Sequence, residues 1–103
     1  MKSFDDLAKY NNTSAIHDGD TWMVKLHDTV IFKMVENKSG NVITLRSGGW
    51  RTVTTKKRIN EAFRTVGVAL NLFQEDGEWF VYNIASNIPF YDGMTFTGLG
   101  GAR

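Results

Sequence analysis

Two His-Asp dipeptides, His17-Asp18 and His27-Asp28, are the first residues here whose types suit acid–base or metal chemistry. A protein metal centre of the zinc type needs three or four converging ligands, drawn from cysteine, histidine and carboxylates. The chain has two histidines and no cysteine, so Asp18, Asp20, Asp28 and Asp92 would have to meet from separate turns. Aspartates occupy turns for a plainer reason, because their side chains bond to nearby backbone amides. No metal site is expected. Nucleophilic catalysis fares no better: Ser47-Gly48-Gly49 lacks the Gly-x that precedes the serine of a nucleophile elbow. Gly98-Leu99-Gly100-Gly101 has neither a following helix nor the lysine of a phosphate-binding loop. The expectation is a non-enzyme without a cofactor.

Positive charge beside an aromatic is the stronger signal. Residues 46–64 hold six basic groups and one acid, net +5, while the rest of the chain carries −4. Lys57, Asn60 and Arg64 share one stripe of a helix, with Lys56 and Arg58 on its flanks and Arg51 just before it. Such a set could follow a phosphate backbone, with Trp50 as a stacking surface. The isoelectric point of about 8.0 falls below the basic range of committed nucleic-acid binders. A protein-binding surface is the competing reading. Trp22, Trp50, Trp79, Tyr82, Phe90 and Tyr91 exceed what one helix can easily cover, and aromatics with arginine anchor protein interfaces. An exposed sheet edge could equally pair two copies as a homodimer. The candidate binding residues are Arg51, Lys56, Lys57, Asn60 and Arg64, with Trp50 as aromatic anchor.

These residues must be positioned by one domain, since 103 residues suffice for a single core. Ten glycines against one proline, Pro89, predict many tight turns and a sheet-rich fold. Residues 3–10 read as a short helix capped by Ser3, with Phe4, Leu7 and Ala8 on one side. Residues 11–14 break the pattern and residues 17–20 turn. Period-two alternation then predicts strands over about 21–27, 30–35 and 42–46. Thr54 or Thr55 should cap a helix over 55–66, ended by Gly67, with Ile59, Ala62, Phe63 and Val66 facing the core. Lys57 and Glu61 form a weak pair four residues apart. Residues 68–73 and 79–84 pair across an Asp76-Gly77 hairpin, with the second strand central. Pro89 confines its own segment to an edge or a strand start, and residues 95–97 form a last short strand. The predicted class is α+β, order βββ-α-ββ(β): five to six mainly antiparallel strands in one sheet under one central amphipathic helix. The domain spans 1–97, with a flexible tail over 98–103. Nothing is long and apolar enough to cross a membrane, and Asp5 and Asp6 stand where a signal peptide needs base and then grease, so a cytoplasmic protein is expected.

The segment Gly49-Trp50-Arg51-Thr52-Val53-Thr54-Thr55-Lys56-Lys57-Arg58-Ile59-Asn60, with a Trp79 hairpin and Phe90-Tyr91-Asp92-Gly93 after it, resembles a pattern in small tailed-bacteriophage proteins. The resemblance covers about residues 20–93 and carries no catalytic residues over. It implies a virus-encoded accessory protein made in the host cytoplasm, acting by stoichiometric binding to a host enzyme or defence system. A minor virion component is a further reading.

Overall fold

Alternating apolar and polar side chains build most of the molecule. The structure, a computed structural model, describes residues 4–10, 12–83 and 86–99. A 3₁₀ helix, Phe4–Lys9, leads into β1 (Thr13–Asp18), β2 (Thr21–Leu26), β3 (Thr29–Val35) and β4 (Asn41–Leu45). The helix α1 (Val53–Val66) comes next, then β5 (Leu70–Glu75), β6 (Glu78–Asn83), β7 (Ser86–Pro89) and β8 (Met94–Leu99). All pairings are antiparallel. The α+β class and the single α-helix agree with the sequence, but the strands number eight and form two sheets: β1-β2-β3-β4-β8 and β5-β6-β7. The chain leaves the first sheet at β4, builds α1 and the second sheet, and returns to pair β8 with β4.

The unpredicted strand is β1, which carries almost no apolar signal: only Thr13 is buried along it. Its backbone pairing with β2 holds it in place, with Thr13 opposite Leu26 and Asp18 opposite Thr21. In β3, both Ile31 and Phe32 are fully buried, against simple alternation. A bulge explains this, because Val24 faces Phe32 while Lys25 faces Val30, leaving Ile31 as the extra residue. Asn41 opens β4 and Arg46 lies beyond it. β8 is longer than expected and takes in residues 98 and 99, which the sequence reading placed in the tail; residues 100–103 lie outside the described residues.

α1 is the buried hub. Ile59, Ala62, Phe63 and Val66 face the core as their spacing predicts, and the Phe63 ring meets Phe32 of β3 edge-on at 6.0 Å. Thr52, not Thr54 or Thr55, is the N-cap: it is extended and its hydroxyl accepts from the Thr55 amide at 3.2 Å. The helix therefore starts two residues early, and Thr55 is turned inward, fully buried against the Thr52 hydroxyl at 3.1 Å. Gly67 ends it in the left-handed region at φ 78°, where its amide bonds to the Phe63 carbonyl. At the N-terminus, Phe4 and Leu7 are buried but Ala8 is exposed, since the tighter 3₁₀ winding turns it off their face. Ser3, read as the cap there, and Ile84 lie outside the described residues. β6 is the middle strand of its sheet and β7, ending in Pro89, is an edge, both as expected.

Candidate functional site

The loop from β4 to α1 is locked to the loop before β8. The Ser47 amide donates to the Asp92 carboxylate, and the Ser47 hydroxyl donates to the same oxygen at 2.8 Å. That hydroxyl accepts from the Gly49 amide at 3.2 Å and from Arg51 Nε at 3.3 Å. Burial alone would raise the Asp92 carboxyl. The Ser47 amide and hydroxyl, the nearby Arg51 charge and the Gly48 amide overcome that and hold it below the ordinary carboxylate range. Ser47 is fully buried, so its hydroxyl organises the loop and is not offered to a substrate. Gly48 sits at φ 61° with the loop pressed on the β2–β3 turn: a Cβ there would lie 2.6 Å from the Thr29 methyl.

Rigidity at this corner serves an outward-facing patch. Trp50, Val53 and Tyr91 are 52%, 62% and 59% exposed, the three most exposed large apolar side chains among the described residues. Trp50 is thus a surface residue. Its ring meets His27 obliquely, 5.7 Å between centroids.

A cleft of about 650 Å³ runs beside Trp50. Its walls come from the end of the 3₁₀ helix (Lys9, Tyr10 and Asn12), the β2–β3 turn (Leu26 and His27) and the start of α1 (Thr52, Thr54 and Arg58). A shallower depression of about 590 Å³ continues from Lys9, Tyr10, Asn12 and His27 towards Asp28. The Arg58 guanidinium lies over Tyr10, 3.7 Å from the ring centroid. Asn12 and His27 both hold positive φ, 59° and 55°, and the His27 amide donates to the Asn12 carbonyl at 2.7 Å.

The structure disperses the basic set read from the sequence. Arg51 lies over Phe90 at 4.8 Å and over Trp79 at 5.3 Å. Lys56 sits 5.7 Å above the same Trp79 ring and donates to Gln74 at 2.7 Å. Asn60 does not project into solvent with Lys57 and Arg64. It is half-buried, and its amide clasps Leu72 of β5, accepting from the amide at 2.7 Å and donating to the carbonyl at 2.8 Å. Arg64 is exposed and pairs with Glu61 at 2.9 Å, so the close ion pair on this face is spaced by three residues. Lys57 is exposed. The histidines do not converge either: His17 stacks on Trp22 at 3.3 Å, at the other end of β2 from His27, and no metal-binding cluster is found among the described residues. Sequence reading missed Lys9, Tyr10, Asn12, Thr52 and Thr54 as cleft residues. The three contributing stretches are too far apart in the chain for any spacing rule to join them.

Among the described residues, no helix is long and apolar enough to cross a membrane. No curated protein and no solved structure matches the chain. A family model described as Kyanoviridae Gp96 protein matches residues 2–97, and the chain therefore belongs to that family of tailed-bacteriophage proteins.

Proposed function

We propose that this phage protein is a non-enzymatic accessory protein that binds and modulates a host protein in the host cytoplasm. The observation carrying the reading is the Trp50, Val53 and Tyr91 patch, more than half exposed beside loops pinned by Ser47 and Asp92. Solvated tryptophan and tyrosine on a rigid support are what interface anchors require: large contact area with little ordering cost on binding. Inhibition of a host enzyme or defence system is the effect such binding would have. Nucleic-acid binding along α1 is the weaker reading, because Lys56, Asn60 and Arg64 already have partners within the fold.

The test is affinity capture from infected host cells with the parent protein and a Val53→Asp, Tyr91→Ser variant, then titration calorimetry with the purified captured protein. The parent should form a complex of fixed stoichiometry, and the variant should bind at least about a hundredfold more weakly, as for loss of a hot spot of about two or more kcal/mol. Equal binding by both proteins would refute the assignment, as would catalytic turnover lost on replacing His17 or His27.

A further inference from the structure

We propose that the cleft beside Trp50 binds a mononucleotide, its base against Trp50 and its phosphate at Lys9 and Arg58. This goes beyond the protein-binding reading and stands on different residues, since Val53 and Tyr91 do not line the cleft. At about 650 Å³, its volume falls within the range of about 300–1,000 Å³ usual for small-molecule sites. Rings and cations line it together, with Tyr10, His27 and Trp50 beside Lys9 and Arg58 and no carboxylate among them; Asp28 lines only the adjoining depression. An aromatic platform next to uncompensated positive charge suits a ligand that is itself half flat ring and half anion.

Two details favour a ligand over a merely wet groove. Arg58 Nε is buried and has no hydrogen-bond partner among the described residues, although Tyr10 holds its guanidinium in place. A buried charged donor without an acceptor is costly, and a phosphate oxygen would satisfy it. Asn12 and His27, bonded to each other, are two of the three non-glycine residues with positive φ among those described. Strained backbone of this kind persists where its surroundings fix it, often at binding sites. Thr52 and Thr54 add hydroxyls for the sugar, at the end of α1 whose dipole favours an anion. A nucleic-acid strand would need the charge to continue, yet the next cations, Arg51 and Lys56, lie over Trp79.

The test is titration calorimetry of the full chain with adenosine 5′-monophosphate, adenosine, ribose 5-phosphate and inorganic phosphate. The monophosphate should bind one-to-one and about tenfold or more tighter than the other three, given typical stacking energies. Trp50→Leu should lower it to the level of ribose 5-phosphate, and Arg58→Gln to that of adenosine. Lys9→Gln, at an exposed position, should weaken it in the same sense and serves if Arg58→Gln does not fold. Val53→Asp should leave it unchanged, so loss of host-protein binding and loss of nucleotide binding are separable. No binding at millimolar nucleotide, equal affinity for inorganic phosphate, or indifference to Trp50→Leu would each overturn the proposal. So would affinity for an adenosine oligomer that rises steeply with length, which would make the cleft part of a strand-binding groove.

Discussion

At the scale of single residues, the Asp92 carboxylate does most to tie distant parts of the chain together. Its carboxyl is held below the ordinary value, so the unfolded chain binds its proton more readily than the folded one. The stabilisation is thus fully present above the unfolded value of about 3.9 and is lost as pH falls through the lower folded value. Urea midpoints measured from about pH 6 down to about pH 2 should show this loss in the parent and a shallower slope in Asp92→Asn. Phe63 and Trp50 make a second contrast. Phe63 is buried against Phe32, and Phe63→Ala should cost about 3–5 kcal/mol in urea unfolding. Trp50 is half exposed, so Trp50→Ala should fall within about 0.5 kcal/mol of the parent. If Trp50→Ala proves as damaging as Phe63→Ala, the ring is structural and both proposals resting on it lose their ground.

At the scale of elements, the helix start gives a sharp test. Thr52→Ala removes the cap and should cost about 1 kcal/mol, whereas Thr54→Ala, at an exposed first-turn position, should cost a few tenths at most. The run Thr52-Val53-Thr54-Thr55 offered three hydroxyls, and spacing alone could not choose among them. Burial chose: Thr55 points into the core, and the cap fell to the threonine three residues earlier. α1 and β6 were legible because their apolar residues repeat with the period of the element and glycine punctuates their ends. β1 was not, since its register is set by β2 and not by its own side chains. The second sheet was hidden for a related reason. Alternation marks a strand but does not say which neighbour it takes, and β8 pairs with β4 across nearly half the chain. The cleft was illegible on the same grounds, because three loops meet there that no local pattern connects.

At the scale of the whole molecule, β8 closes the larger sheet and brings Met94 and Phe96 into the shared core. A chain ending at residue 92 would lose both side chains and leave β4 without its second neighbour. It should fail to fold, with flattened circular dichroism and no slowly exchanging amides in β3 and β4. The smaller sheet is guarded differently. The Asn60 amide occupies the hydrogen-bonding groups of Leu72 on the free side of β5, and on the far side β7 carries Pro89, which has no amide hydrogen to offer. A polymer made by lengthening this sheet would have to dislodge a stopper at either end before adding its first rung.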